Sequence, residues 1–348
     1  MTEPVLSVRD LVVRFSTGRG AVYAVNGVSF DVDAGGAVGL VGESGSGKSV
    51  ANLAILRLLP RGGRIVSGEV WFDGRDLTKL SQAEMRRVRG KEIAMVLQDP
   101  QSSLNPVLTI GEQIEEAIRA HEAVSRSAAR TRAAELLGSV GISRPNEQLA
   151  RYPHQFSGGM RQRVMISIAL ALHPKVLIAD EPTTALDVTV QAQVLELLRE
   201  LTRELGTAIV LISHDLGIMA RMTQRISVMY AGSIVEAAST IALFARPQHP
   251  YTVGLLRSIP RIGGEGSLQP IEGAPPDLER EPVGCSFVPR CAWRVDACWQ
   301  TTPSLLAGDD QSHLLACHDP VEAAEVGTGR PMRDGFVPAP PPVDEEIA

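Results

Sequence analysis

Aromatic side chains are scarce: Phe, Trp and Tyr make up 4% of the 348 residues. Long apolar runs are missing too. The longest nearly apolar stretches, residues 165–172 and 208–212, fall far short of the roughly 18 residues that cross a bilayer as a helix. The opening MTEPVLSVRD has no basic segment followed by an apolar one, so no secretion signal is expected. There is no excess of positive charge: 34 Lys and Arg against 40 Asp and Glu give a formal net charge of −6, and nucleic acid is not an expected partner. Cysteine is missing from most of the chain, and all four cysteines lie between 285 and 317. These shortages argue against an integral membrane protein and a secreted disulfide scaffold. What is present, 44% hydrophobic and 21% charged residues, argues against a disordered chain. The length suits two or three domains at about 100–200 residues each, with enough Leu, Ile and Val for a core without disulfides.

The pattern along the chain is that of an α/β protein. Residues 6–15 and 28–32 alternate apolar and polar positions, as half-buried strands do. Residues 37–41 (AVGLV) form a short apolar run that breaks into GESGSGKS, and residues 50–59 follow at helical density up to Pro60. From 99 to about 152 the pattern is helical, with periodic segments at 110–123 and 128–140, the second stopped by Gly141, and another helix at 160–172. Strand and helix then alternate again: a strand at 175–180 (KVLIAD), an amphipathic helix at 188–205, and a strand at 207–213 (TAIVLIS). Such alternation predicts a parallel sheet with helices on both faces. The helical stretch at 99–160 is then an insertion into one α/β domain spanning residues 1–240. Past 240, Pro and Gly rise and periodicity fades, which places a small module at 241–330. The Pro-rich, acidic tail at 331–348 is expected to be disordered.

Four strand ends carry chemistry. Gly42, Glu43, Ser44, Gly45, Ser46, Gly47, Lys48 and Ser49 match G-x4-G-K-[ST] between a predicted strand and a predicted helix. Small residues there let backbone N–H groups close around phosphate oxygens, and the helix N-terminus adds partial positive charge. Lys48 supplies a full charge to the terminal phosphates, and the Ser49 hydroxyl is a ligand for Mg²⁺. At an effective dielectric of 20, two unit charges about 4 Å apart interact by about 4 kcal/mol, so tight binding of a triphosphate calls on both the lysine and the metal. The strand at 175–180 ends in Asp180 and Glu181. A carboxylate at the carboxyl end of a buried parallel strand faces the ligand crevice. Asp180 is placed to hold Mg²⁺ through water, and Glu181 to polarise an attacking water as general base. His214 follows the strand at 207–213 beside the same crevice, where it would contact the terminal phosphate, and Gln98 takes the equivalent place after the strand at 93–97.

A further segment, Phe156, Ser157, Gly158, Gly159 and Met160, precedes the acidic strand. In the order phosphate loop, Gln98, Ser157-Gly158-Gly159, Asp180-Glu181, Asp187, His214, the chain resembles the ATP-binding subunit of an ABC transporter. The glycine pair is similar to that family's LSGGQ signature, with Phe for Leu and Met for Gln. The resemblance implies an α/β P-loop NTPase (ABC ATPase) core with an inserted helical subdomain and a small C-terminal Cys-containing module. It implies that Ser44, Gly45, Gly47, Lys48 and Ser49 hold the phosphates and Mg²⁺, that Gln98 senses the metal and the water, and that a membrane subunit docks nearby. Asp180 then holds the metal's water, Glu181 is the catalytic base and His214 contacts the γ-phosphate. Asp187 helps to join two nucleotide-binding subunits, and Ser157 and Gly159 act on the nucleotide bound by the partner. An aromatic residue near the start of such chains stacks on adenine; Phe15 is the first candidate and Tyr23 the second.

The subfamily is suggested by GESGSGKS, Gln98-Asp99-Pro100 with Ser103-Leu104-Asn105-Pro106, FSGGMRQR and His249-Pro250-Tyr251-Thr252. Together they resemble the ATPases of bacterial oligopeptide, dipeptide and nickel importers, whose C-terminal extensions contain cysteines. A cytosolic ATPase keeps its thiols reduced. The spacing Cys285-x5-Cys291-x6-Cys298-x18-Cys317 lacks the short C-x2–4-C knuckle of structural zinc, so a [4Fe–4S] cluster is the preferred expectation. Zn²⁺ and unligated buried thiols are the alternatives, with His318 as a substitute ligand. The whole implies the ATP-hydrolysing subunit of a peptide importer on the cytoplasmic face of the membrane. Its implied partners are two permease subunits, a second homologous ATPase and an extracytoplasmic substrate-binding protein. A nickel importer, an exporter, and a soluble ABC ATPase of DNA repair or translation are the rival readings.

Overall fold

In the computed structural model, residues 3–18, 20–184, 186–258, 270–281, 283–308 and 310–321 are described, with the backbone alone for Pro100 and Gln101. The expected disordered tail at 331–348 lies outside the described residues. The chain opens with β1 (Leu6–Thr17), β2 (Gly20–Val32), β3 (Ala37–Val41) and α1 (Lys48–Ile55). It continues through β4 (Gly63–Phe72), β5 (Arg75–Asp76), α2 (Gln82–Val88) and β6 (Ile93–Val96). Five helices follow: α3 (Pro100–Ser103), α4 (Ile110–Arg119), α5 (Arg126–Ser139), α6 (Pro145–Gln148) and α7 (Gly158–Leu170). Then come β7 (Val176–Asp180), α8 (Val188–Leu205), β8 (Ala208–Ile212), α9 (Leu216–Met222), β9 (Arg225–Tyr230) and β10 (Ser233–Ser239). The last elements are α10 (Thr240–Ala245), α11 (Pro250–Arg257), α12 (Ala297–Gln300), β11 (Leu306–Ala307) and β12 (Leu314–Leu315).

Two sheets organise these elements. An antiparallel sheet runs in the order β2-β1-β4-β5, and a larger mixed sheet in the order β11-β12-β10-β9-β3-β8-β7-β6. In the larger sheet β9, β3, β8, β7 and β6 are parallel neighbours, while β10, β12 and β11 close one edge antiparallel. The central strands are short and apolar throughout because both faces are covered. Their alternation assigns each face: Val38, Leu40, Val176, Ile178, Val210 and Ile212 enter the core shared with α1 and the antiparallel sheet. Val41, Leu177, Ala179, Ile209 and Leu211 enter the core shared with α4, α5, α7 and α8.

Several element ends differ from the pattern of the sequence. Helix α2 is set by a capping box, Ser81 with Glu84, in a stretch whose apolar content is too low to announce it. Strands β9 and β10 carry the sheet past the acidic strand, and β12 pairs Leu315 with Glu236 and Leu314 with Ala237. The segment beyond 240 therefore adds its own strands to the larger sheet. Glu236 itself is fully buried, accepting hydrogen bonds from the backbone N–H groups of Gln248 (2.8 Å) and His249 (2.9 Å). A third contact, at 2.7 Å, joins it to His313 Nε2. One carboxylate thus fastens the start of α11 and the turn before β12 to β10. Glu236→Ala leaves those groups without their acceptor, at about 1–3 kcal/mol each. The expected outcome is a loss of about 3 kcal/mol or more in a denaturant titration of the full chain, whereas an unchanged midpoint contradicts the assignment.

Candidate functional site

Parallel register brings four strand ends to one edge of the larger sheet: Leu40 pairs with Ile212, Ile212 with Asp180, and Ala179 with Val96. The segments that leave these ends hold the phosphate loop, His214, Glu181 and Gln98. Carboxyl ends of parallel strands form the ligand crevice of open α/β sheets.

The loop at 42–47 is shaped by close backbone approaches. A Cβ at Gly42 would lie 2.2 Å from the Met229 carbonyl oxygen, and one at Gly47 2.4 Å from that of Ala24. Gly47 also has φ 98°, the left-handed region, as it caps α1. Inside the loop Lys48 Nζ donates to the carbonyl oxygens of Gly42 and Glu43, both at 2.8 Å, and to Ser46 Oγ at 3.2 Å. The ammonium is buried, which holds its pKa below the ordinary lysine value despite the opposing pull of Glu181, Asp180 and Glu43. Ser44, Gly45 and Ser49 lie on the exposed side of the loop. An ammonium held only by neutral oxygens has acceptors it can exchange for phosphate oxygens.

Asp180 ends β7 and is buried. Burial pushes its carboxyl pKa up, with the Ser49 hydroxyl and the Lys48 ammonium opposing. Its Oδ1 has no hydrogen-bond partner. An orphaned buried carboxylate oxygen next to a serine hydroxyl fits a hard cation with oxygen ligands, so these residues suit Mg²⁺. Glu181 follows with φ 45°, a sharp left-handed turn out of the strand. Its Oε2 accepts from Gln98 Nε2 at 3.1 Å and from Thr184 Oγ1 at 2.7 Å, and its Oε1 lies 3.2 Å from His214 Nδ1. Burial alone would raise the Glu181 pKa; the Thr184 hydroxyl and the His214 ring outweigh it and hold the carboxyl below its ordinary value. The structure thus joins Gln98, Glu181 and His214 and sets them near Lys48.

Ser157, Gly158, Gly159 and Asp187 form a separate surface. Ser157 caps α7, accepting from the Met160 N–H at 3.3 Å, and Asp187 caps α8, accepting from the Val190 N–H at 3.0 Å. A Cβ at Gly158 would touch Leu186, and one at Gly159 would stand 2.5 Å from Val190 Cγ1. Their neighbours are thus the start of α8 rather than the phosphate loop, and Ser157, Gly158 and Asp187 are exposed.

Comparison with known proteins gives the same picture. Residues 25–184 match the family described as ABC transporter, and residues 235–298 the oligopeptide/dipeptide transporter C-terminal region. A dipeptide transport ATP-binding protein of Bacillus subtilis is 49% identical over 317 residues, 90% of this chain and 94% of that protein. The chain belongs to the ABC transporter family. An oligopeptide transport ATP-binding protein of the same organism is 48% identical over 312 residues, 89% of this chain and 87% of that protein. Among solved structures, a dimeric ATP-binding cassette in a post-hydrolysis state with ADP and phosphate is similar at 30% identity and TM-score 0.60, covering 68% of this chain and 98% of that one. The ABC ATPase cassette fold, an α/β P-loop NTPase, is therefore that of this chain.

Within this ABC ATPase the two aromatic candidates differ in place. Phe15 pairs with Gly63 across β1 and β4, where a Cβ on that glycine would meet its ring at 2.6 Å, and it packs on the core. Tyr23 precedes Ala24, whose carbonyl abuts Gly47, and the Arg14 guanidinium lies 4.2 Å from its ring centroid.

The four-cysteine metal centre is not there. Among the described residues no group of three or more His, Cys, Asp or Glu side chains is placed to hold a metal ion, which overturns both the [4Fe–4S] cluster and its Zn²⁺ alternative. Cys285, Cys291, Cys298 and Cys317 are free thiols. Burial pushes the thiols of Cys291 and Cys317 up to about 12 and raises that of Cys285. Cys291 belongs to the hydrophobic core and Cys285 packs against it, as small apolar residues do. His318 Nε2 lies 2.9 Å from the Thr301 carbonyl oxygen. The matched relatives are named as ATP-binding proteins of transport systems.

Thr184 is the site residue that the spacing did not single out. Only the left-handed turn at Glu181 carries its hydroxyl back onto the carboxylate. Because the folded-state pKa of Glu181 is lowered, its contribution to stability is present above the unfolded carboxyl value and is lost as pH falls through the folded value. Thr184→Val removes one donor to the charged form, so the Glu181 pKa rises in a carbon-13 NMR titration. A value unchanged from wild type contradicts the role of the hydroxyl.

Proposed function

We propose that this chain is the ATP-hydrolysing subunit of an importer of peptides, working on the cytoplasmic face of a membrane. The observation that carries it is the meeting of Lys48, held only by neutral loop oxygens, with the Gln98–Glu181–His214 cluster at one sheet edge. Peptide cargo is supported by the dipeptide and oligopeptide transport proteins it resembles along most of their length. No helix among the described residues is long and apolar enough to cross a membrane, so the transport path falls to partners: two permease subunits, supplied by an extracytoplasmic substrate-binding protein.

The residues divide the work. Backbone N–H groups of the loop and the Lys48 ammonium hold the β- and γ-phosphates of ATP. Ser49 and Asp180 would hold Mg²⁺, which when bound would screen the phosphate charge. Glu181, ionised at neutral pH, takes the proton of the attacking water, while Gln98 and His214 hold that carboxylate in place. His214 also faces the departing γ-phosphate. Of the two aromatics, Tyr23 is the better placed for adenine, being joined to the loop through Ala24.

The site is completed by a second ATPase. Ser157, Gly158 and Asp187 lie exposed, with Gly159 half-buried beside them, on their own surface, ready for the nucleotide of a facing subunit; the similar cassette that is dimeric with ADP and phosphate supports this. ATP then acts as an interfacial ligand, and loss of the γ-phosphate removes the contact that favours the closed pair. Residues 1–240 form the nucleotide-binding domain, the helices at 99–160 a subdomain that passes the motion to the permeases, and 241–330 a C-terminal extension. In the assembled transporter, Glu181→Gln is expected to bind ATP, to hydrolyse it about 10²–10⁴-fold more slowly, and to accumulate as a closed pair. Turnover at the wild-type rate removes Glu181 as the base.

A further inference from the structure

The second residue of the phosphate loop is gripped from outside the cassette. The Glu43 carboxylate receives both arms of Arg290, Nη1 to Oε2 at 2.7 Å and Nη2 to Oε1 at 3.0 Å. The Glu43 backbone N–H donates to Tyr251 Oη at 2.8 Å. Its backbone carbonyl is one of the two that hold Lys48. Two of these three holds come from residues beyond 240. Arg290 is 8% exposed and its other donors are spent on fixing it: Nε on the Glu272 carbonyl at 2.9 Å, Nη2 on that of Ile271 at 3.2 Å, Nη1 on Tyr230 Oη at 3.3 Å. The rings of Tyr230, Tyr251 and Phe287 pack together around it, with centroids 4.6–5.4 Å apart.

A buried guanidinium is costly without a partner, and its planar fork matches a carboxylate in a way an ammonium does not. Glu43 is that partner, and the segment at 271–272 aims the fork. Carboxylate, Tyr251 and lysine together leave the Gly42–Glu43 backbone one position. We infer that Arg290 and Tyr251 are positioning residues of the nucleotide site: through Glu43 the C-terminal region sets the carbonyls that hold Lys48, and with them the affinity of the loop for ATP. The inference rests on the nucleotide-site reading given above. It gives the C-terminal region a task that needs no metal, and it makes the order of that region a control on ATP binding.

The test is equilibrium binding of magnesium ATP to the full chain, with turnover in the assembled transporter as the second readout. Arg290→Met, Arg290→Lys, Glu43→Gln and Tyr251→Phe are each expected to raise the ATP Kd about tenfold, equal to 1.4 kcal/mol. KM rises with it, and kcat at saturating ATP changes little. The Arg290→Met/Glu43→Gln double variant is expected to match the worse single variant, because both remove one interaction. Thr302→Val breaks a hydrogen bond to the Gly284 carbonyl in the same region without touching the clamp, and is expected to keep the wild-type Kd. Wild-type Kd values in Glu43→Gln and Tyr251→Phe, or strictly additive effects in the double variant, overturn the inference even if Arg290→Met fails to fold. A Lys48→Ala chain that binds ATP as wild type does would instead sink the nucleotide-site reading itself.

Discussion

Parallel pairing of β6, β7, β8 and β3 is the constraint on which the site depends. Parallel strands must all be re-entered from the same side, so the segments that leave them emerge together. In this chain those segments carry an ammonium, two carboxylates, an imidazole and a primary amide. The alternation of Val38 and Leu40 with Ala37 and Val41, repeated in β7 and β8, fills two cores at once and fixes the register against a slip of one residue. A slip would exchange the two faces and would move Asp180 away from Ile212 and hence from the loop. The chemistry is thus held in place by apolar packing that never touches a phosphate.

Electrostatics then divides the roles of near neighbours. Asp180 is buried with an oxygen left without a donor, and its pKa is raised. Glu181, the next residue, is turned toward Thr184, His214 and Gln98, and its pKa is lowered. The two environments push neighbouring carboxyls in opposite directions, which is the division of labour the proposed roles of cation holder and general base call for. The left-handed turn between them is what lets consecutive residues differ so much, and a non-glycine residue accepts that strain only where its surroundings fix it. The same logic extends past 240, where Glu236 and Arg290 are buried charges with dedicated partners that tie distant segments to the cassette.

The parts legible in the sequence are those whose meaning is local. The phosphate loop declares itself by spacing, the buried strands by unbroken apolar runs, and α8 by its period, with Asp187 as cap and Gly206 as stop. Helix α5 reads less well, since its start is set by the Ser125 cap rather than by apolar spacing. Contacts made across long separations leave no local trace. The antiparallel edge of β10 and β12, the packing of Phe15 over Gly63, and the grip of Arg290 on Glu43 all depend on where remote segments fold. The cysteines mislead for a related reason. Their spacing alone does not make a ligand set: among the described residues no group of three or more is placed to hold a metal ion, Cys291 belongs to the hydrophobic core and Cys285 packs against it.

The central claim is that magnesium ATP sits on the edge formed by these strand ends. Hydrogen–deuterium exchange of the full chain, with and without magnesium ATP, reads that edge directly. The account predicts slowed exchange in the amides of residues 42–49, which take up the phosphate oxygens, and in those of 180–184 and 213–214 beside them. Exchange unchanged in these three segments at saturating nucleotide would contradict it.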